Sequence, residues 1–226
     1  MNRKTQQIVT ICLCICLLLP VPLNGWAFTQ SSIQSKPEFS SQAIKIIKAL
    51  ERFHYLEKKL NDALSANILD TYIQRLDPGR QLFTSQDIIQ FKTHQYELDD
   101  ELKKGDLGTG FDIFNTYMDR SREHLEFILS LIPTWEKDFD FTQEDTIIID
   151  HKAREWLPDM TALKVLWTKG LKNHIIMLKL ENKTSDDITQ LLEKIYTNRL
   201  TRLNQNTAGD IFQFYINSVT SSFDPH

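Results

Sequence analysis

The feature that most constrains this chain is a series of long segments in which apolar residues recur every three or four positions. Such spacing places the apolar side chains on one face of an α-helix. Prolines and glycines are sparse between the segments and stand mostly at their ends. The sequence therefore predicts an all-α, multi-helix, bundle-like domain of about seven helices joined by short loops. The apolar stripes of the predicted helices, meaning the residues at helical spacing in each segment, begin at Ile44, Leu64, Ile88, Phe111, Leu163, Ile188 and Ile211.

Turn and capping residues set the expected helix ends. Asp77-Pro78-Gly79 predicts a turn after the second helix. The third helix is expected to run without a break from Thr84 to Gly105, and Pro133 is expected to end the fourth. The other predicted N-caps are Ser40 or Ser41, Asn61, Asp159 or Thr161, and Ser185.

Two places depart from the helical pattern. Residues 134–158 are less periodic, and the β-branched run Ile147–Ile149 would suit a short strand. No partner strand is evident, so we expect irregular structure there. Gly170 stands in the middle of the fifth predicted helix, where glycine costs about 1 kcal/mol relative to alanine, and it marks a possible kink.

The first residues have the layout of a secretory signal peptide. Arg3 and Lys4 precede an apolar run that ends at Pro20, and Gly25-Trp26-Ala27 supplies small residues for cleavage after Ala27. The run is shorter than the ~20 residues of a membrane span. We predict a cleaved signal peptide over residues 1–27, a flexible lead-in over 28–40 and the helical domain over 41–226, in an exported protein of the periplasm with no stable membrane span after cleavage.

Composition narrows the chemistry. All three cysteines, Cys12, Cys14 and Cys16, lie inside the predicted leader, so the mature chain has no thiol for catalysis or metal binding. The formal net charge is −4, and removing Arg3 and Lys4 with the leader makes the mature chain more acidic. A polyanion such as nucleic acid is therefore not an expected partner.

No reaction signature is present, and we predict no catalytic, cofactor or metal site. The sequence lacks a Gly-x-Ser-x-Gly elbow, and no phosphate-binding pattern accompanies the glycines at 105, 108 and 110. His151 and Glu155 share a helical spacing but have no evident third ligand. His174 is expected to be a partly buried side chain. The carboxylate run Asp99-Asp100-Glu101 points its members apart on a helix.

Several ordered segments resemble the N-terminal domain of the tail-specific, or C-terminal processing, proteases. Each is weak alone, but their order covers about residues 41–226. The segments are residues 53–56, 60–65, 72–80 with Phe83 and Asp87-Ile88, 113–117, 139–142, Trp167 with 171–173, 196–199, and 210–226.

The resemblance implies a periplasmic serine endopeptidase that recognises apolar C-terminal tails through a PDZ module and cuts with a serine–lysine dyad. Those modules lie C-terminal to the matching region, so no catalytic residue can be assigned here. We expect the chain to be inactive alone. The implied role is a non-catalytic scaffold whose partner is the remainder of the protease.

One alternative stays open at this point, a free-standing periplasmic adaptor module that binds a protease or its substrates. If the last helices normally pack on the rest of a protease, their apolar faces would be exposed in this chain. We predict that Phe212, Tyr215 and Phe223 mark this surface.

Overall fold

The structure is a computed structural model, and it describes residues 32–53, 58–146, 148 and 154–223. The predicted leader and its cleavage point lie outside these residues. The described part is all-helical, as predicted, and no strand occurs in it. Its helices are α1 (Pro37–Phe53), α2 (Asp62–Leu76), α3 (Ser85–Lys92), α4 (Leu98–Lys104), α5 (Gly108–Leu131), α6 (Trp135–Asp138), α7 (Met160–Leu180), α8 (Ser185–Leu203) and α9 (Ala208–Phe223), with a 3-10 turn at Ile132–Thr134.

Helix α5 connects the two halves of the fold. It packs against α2 and α9 as well as against α7 and α8. Helix α1 adds to the first group through contacts with α4 and α9, and the apolar side chains of all these helices form one continuous core. No helix in the described part of the chain has both the length and the apolar composition needed to cross a membrane.

Several predicted helix ends are confirmed by their hydrogen bonds. The side chain of Asn61 accepts from the backbone N–H of Leu64 at 3.0 Å, and Asp159 accepts from Ala162 at 2.9 Å. Such caps satisfy backbone donors that have no partner inside a helix. Gly105 ends α4 with a left-handed φ of 78°, a conformation that glycine adopts without steric cost.

Two predicted caps are corrected. Helix α1 begins at Pro37, so Ser40 and Ser41 lie inside it and the predicted lead-in ends before residue 40. Proline suits this first position because its fixed φ matches the helix. Thr184, not Ser185, caps α8, because its hydroxyl accepts from the backbone N–H of Asp187.

The long third helix of the prediction is two helices. Residues 93–97 form a turn whose N–H groups bond to carbonyls three residues back, as from His94 to Phe91 at 3.1 Å. The apolar pattern does not reveal this break. Phe91 and Leu98 are both buried, and their separation of seven residues is the one expected for a continuous helix. This division, together with the four-residue α6, explains why the described helices exceed the predicted seven.

Gly170 does not interrupt its helix. Helix α7 runs from Met160 to Leu180 through that position. Of the β-branched run Ile147–Ile149, only Ile148 is among the described residues, where it is exposed and lies outside any strand.

Helices α5 and α9 are in close contact at Gly110. A Cβ atom built at Gly110 would lie 2.4 Å from Cδ1 of Tyr215, far inside van der Waals contact. Tyr215 is fully buried, so its ring has little freedom to move away. The close packing of α5 on α9 therefore requires glycine at position 110.

We expect Gly110→Ala to lower the free energy of unfolding by roughly 1–3 kcal/mol, because the added methyl group displaces the Tyr215 ring. The matched control is Gly170→Ala, where a Cβ meets no atom within 4 Å. That change should raise the free energy of unfolding by up to about 1 kcal/mol. Chemical denaturation of both variants measures the difference, and equal effects at the two sites would contradict the close-packing argument.

Candidate functional site

The loop after α2 is organised by one buried carboxylate. Asp77 is 1% exposed, and its oxygens accept the backbone N–H groups of Gln81, Leu82 and Phe83 at 3.0, 2.8 and 3.0 Å. Burial raises the pKa of Asp77, and these three donors together with the charge of Arg154 act in the opposite direction. The predicted turn at Asp77-Pro78-Gly79 thus continues into a loop with a fixed backbone.

Two arginines tie this loop to the segment before α7. Arg154 is 6% exposed and donates to the carbonyl of Gly79 at 2.9 Å. Arg80 donates to the carbonyl of Arg154 at 2.5 Å, and its guanidinium lies 5.4 Å from the centre of the Trp156 ring. The bond from Arg154 to Gly79 and the bond from Arg80 to Arg154 therefore hold the loop against the segment before α7.

A second carboxylate joins α3 to α5. Asp87 caps α3 together with Thr84 and also receives two bonds from Arg120, from Nε at 3.0 Å and from Nη2 at 2.9 Å. Burial opposes ionisation of Asp87, but the bonds from Arg120 and Thr84 outweigh it and lower the pKa of Asp87. A two-point arginine–carboxylate pair fixes orientation as well as distance.

A cavity of about 460 Å³ lies between α5, α8 and the loop that follows α2. We call it the α5–α8 pocket. Helix α5 contributes Ser121 and His124 to its wall, and the last turns of α8 contribute Arg199 and Arg202. No carboxylate among the described residues lines it. Sequence reasoning did not find this pocket, although Arg199 and Arg202 stand three residues apart with no acidic residue at helical spacing from either.

The wall of the pocket is held in place by aromatic packing. The ring of His124 stacks on Trp167 of α7, with centroids 4.7 Å apart and planes inclined by 29°. Trp167 in turn donates from Nε1 to the carbonyl of Gln81 at 2.6 Å. Burial, with a further contribution from the charge of Arg199, lowers the pKa of His124 to about 4. His124 is therefore neutral at neutral pH.

The described residues bring no serine or threonine hydroxyl together with a lysine or histidine base. No serine or threonine hydroxyl in that part of the chain hydrogen-bonds to a lysine or a histidine. The Oγ of Ser121 is buried without any hydrogen-bond partner, so it is not bonded to His124 three residues later on the same helix. Activation of a hydroxyl requires such contact with a base.

The histidines and carboxylates singled out in the sequence are dispersed. His151 lies outside the described residues, so the expectation that it forms no metal site with Glu155 stays a prediction. His174 is partly buried beside Tyr196, with ring centroids 6.5 Å apart. The run at 99–101 points apart as predicted, because Asp99 binds Lys103 at 2.8 Å whereas Glu101 accepts from Thr109 at 2.8 Å.

One group of potential metal ligands was missed in the sequence. His94, Glu97 and Glu101 bring one ligand atom each within 4.8 Å of one another. His94 and Glu97 already satisfy each other through a contact of 2.8 Å at the surface. Their spacing of three and four residues across the turn before α4 is the signal that would have found them.

The predicted interface residues of α9 lie inside the domain. Phe212 is 9% exposed, and Tyr215 and Phe223 are fully buried. Phe212 stacks on Phe39 of α1 with centroids 4.6 Å apart, and Tyr215 packs against Tyr72 of α2 at 4.9 Å. These three residues therefore do not form the exposed surface predicted for them, because α1, α2 and α5 of the same chain cover α9.

Exposed apolar side chains occur instead on α7. Val165, Ile176, Met177 and Leu180 are 54%, 37%, 55% and 72% exposed. Their helical spacing places them within one broad face of α7. We call them the α7 face.

Fold and site together define the class of protein: an all-helical domain built around one continuous core, with a basic pocket between two of its helices and an exposed apolar face on a third. The comparisons with known proteins place this domain within a class of protease modules.

A model of the family described as "Tail specific protease N-terminal domain" matches residues 46–226. The chain is also similar to the tail-specific protease of Haemophilus influenzae (strain ATCC 51907 / DSM 11121 / KW20 / Rd), with 35% identity over 178 residues. This chain belongs to the tail-specific protease N-terminal domain family, which confirms the resemblance drawn from its ordered segments. The match covers 78% of this chain and 25% of the relative, so the chain spans about a quarter of that protein's length.

We expect the free energy of unfolding to fall as the pH decreases from about 6.5 towards 4, in part because of His124. Its pKa in the folded state, about 4, lies below the ordinary value of 6.5. The unfolded chain therefore takes up a proton before the folded chain does. The stabilisation is complete above pH 6.5 and is lost as the pH falls through the folded pKa.

The comparison variant is His124→Phe, which keeps a ring against Trp167 and removes the titration. Denaturation at a series of pH values should show the native chain losing roughly 1–3 kcal/mol relative to this variant over that range. The partly buried His174, present in both proteins, cancels in the difference. Parallel pH profiles for the two proteins would contradict the assignment.

Proposed function

We propose that this chain is the non-catalytic N-terminal scaffold domain of a periplasmic tail-specific serine protease. The observation that carries the proposal is the family match over residues 46–226, together with a relative about four times as long as the matched region. In this proposal the PDZ and serine–lysine segments reside in the remainder of the protease. They act on proteins with apolar C-termini, while the helical domain supports them.

The lack of a serine or threonine hydroxyl bonded to a lysine or histidine among the described residues supports the non-catalytic part of the proposal. The export part rests on the sequence of residues 1–27, whose basic start, apolar run and small residues before position 28 suit a secretory leader. Delivery to the periplasm would bring the domain to the compartment that the resemblance implies for its parent enzyme.

The α7 face is the surface that we propose for contact with the remainder of the protease. Ile176, Met177 and Leu180 cluster in the last turns of α7, and the described part of the chain leaves them exposed. A group of exposed apolar side chains on one helix is typical of an interaction surface. Because the chain corresponds to about a quarter of its relative, the remaining segments of such a protease are the occupant that fits.

We expect the purified chain to leave an unstructured protein with an apolar C-terminus intact, because no lysine or histidine among the described residues is placed to activate a hydroxyl. A full-length tail-specific protease serves as the positive control, and electrophoresis with mass spectrometry follows the substrate. Cleavage that copurifies with the chain and persists after removal of trace proteases would overturn the scaffold assignment.

The proposed contact through α7 is tested by photo-crosslinking in cells that produce the chain together with a tail-specific protease of their own. We expect a photoreactive residue at Leu180 to yield a product containing PDZ or catalytic segments of that protease. Ile89 on α3 is the matched control, since it is also apolar and 60% exposed. Equal capture from both positions, or capture of unrelated proteins alone, would count against the α7 face.

A free-standing binding module is the second candidate, and the α5–α8 pocket is the observation that favours it. Under this alternative the chain acts on its own ligand without continuous attachment to a protease. Failure of the Leu180 crosslink, with the pocket shown to bind a ligand, would favour this alternative over the scaffold role.

A further inference from the structure

The charges of the α5–α8 pocket are not balanced by the protein. Neither Arg199 nor Arg202 forms an ion pair with an acidic residue in the described part of the chain, whereas Arg120 and Arg122 both do. Arg199 and Arg202 stand three residues apart, which places them on neighbouring turns of one face of α8. Guanidinium groups in such an arrangement suit an anion with two or more oxygens.

The wall of the pocket contains another polar group that has no partner in the described protein. Ser121 is 7% exposed and lines the cavity, and its hydroxyl has no hydrogen-bond partner. Leaving a buried hydroxyl without a partner is destabilising. A ligand oxygen that reaches this hydroxyl would supply the missing partner, although the hydroxyls of Ser65 and Tyr215 also lack a partner away from this cavity.

Part of the remaining wall is apolar, although Gln81 and Asn206 also line it. Leu82, Leu125 and Leu203 line the same cavity, and Leu125 and Leu203 are 7% exposed. A bare inorganic ion would leave these side chains without contact, whereas a ligand with an apolar body would cover them. The chain as a whole is acidic, with a net charge of −4, so the positive charge is local and a long polyanion is not favoured.

We propose that the α5–α8 pocket binds a small oxyanion, a carboxylate first of all, attached to an apolar body. Arg199 and Arg202 hold the charged oxygens, Ser121 donates its hydroxyl to the ligand, and Leu125 and Leu203 pack against the apolar part. A free aliphatic acid and the last residue of a peptide with an apolar side chain share this chemistry. The site does not depend on the proposed scaffold role.

The test is calorimetric titration of the full chain with hexanoate, with hexanamide as a neutral probe of the same shape. We expect saturable binding of hexanoate in the millimolar range or tighter, at least tenfold weaker binding of hexanamide, and weakening of hexanoate binding as salt is added. Inorganic phosphate should bind more weakly than hexanoate because it lacks the apolar body. Equal affinity for hexanoate and hexanamide, equal affinity for phosphate, or no saturable hexanoate binding would overturn the proposal.

Variants assign the binding to this pocket. Arg199→Gln and Arg202→Gln should each weaken hexanoate binding roughly tenfold, and the double variant should abolish it. Both arginines are exposed, so these changes should leave the folded structure intact, which the melting temperature checks. Arg52→Gln on α1 is the matched control, because Arg52 is also exposed and lies on a helix that does not line the pocket. Unchanged affinity in the double variant would refute the site.

A further pair of probes separates the two sources of the ligand. An acetylated dipeptide ending in leucine with a free carboxylate is compared with hexanoate and with its own C-terminal amide. Tighter binding of the free-acid dipeptide than of hexanoate assigns the site to peptide termini, and the reverse order assigns it to free acids. Binding of the amide as tight as that of the free-acid dipeptide would contradict recognition of the carboxylate.

Discussion

The contact between Gly110 and Tyr215 is the constraint on which the rest of this fold depends. At this point three helices meet, because Tyr72 of α2 packs its ring 4.9 Å from that of Tyr215 and donates its hydroxyl to the carbonyl of Gly110 at 2.8 Å. Burial raises the pKa of both tyrosines, so both phenols stay protonated. The hydrogen bond satisfies a buried polar group, and the bare Cα of Gly110 allows α9 to lie against α5. The packing of α9 against α5 and α2 therefore explains why the α9 side chains that we predicted to face a partner are buried.

Helix α5 links the contact between Gly110 and Tyr215 to the α5–α8 pocket. The first turns of α5 pack against α9, as in the pairing of Phe114 with Phe214 at 5.8 Å. About three turns later, roughly 16 Å along the axis, Ser121 and His124 meet α8 and the ring of Trp167. A rigid helix anchored at its N-terminal end thus presents the polar residues of the pocket from a fixed position. The loop held by Asp77 adds the other wall, again through backbone bonds to a single side chain.

The helical part of this architecture was predictable because its causes are local. Apolar spacing determined the existence of the long helices, and Asn61, Asp159 and Gly105 determined ends that depend on one or two neighbouring backbone groups. The break between α3 and α4 was not predictable from spacing, because Phe91 and Leu98 keep the stripe in phase across it. Periodicity also identifies an apolar face without identifying what covers it. That is why α9 was assigned to a partner although its apolar side chains are buried inside the domain.

The α5–α8 pocket was only partly predictable from the sequence. Its arginines have no acid at helical spacing, which is visible in the sequence, yet an acid from any other helix could have supplied the missing charge. Only the packing of α5 on α8 shows that none of the described acids does so, and only burial shows that the hydroxyl of Ser121 lacks a partner. An exposed unpaired arginine costs a domain little, because water solvates it. A buried hydroxyl without a partner is costlier, but Ser65 and Tyr215 share this lack elsewhere in the described chain. What distinguishes the pocket is that unpaired arginines, apolar side chains and an unpartnered hydroxyl line one cavity.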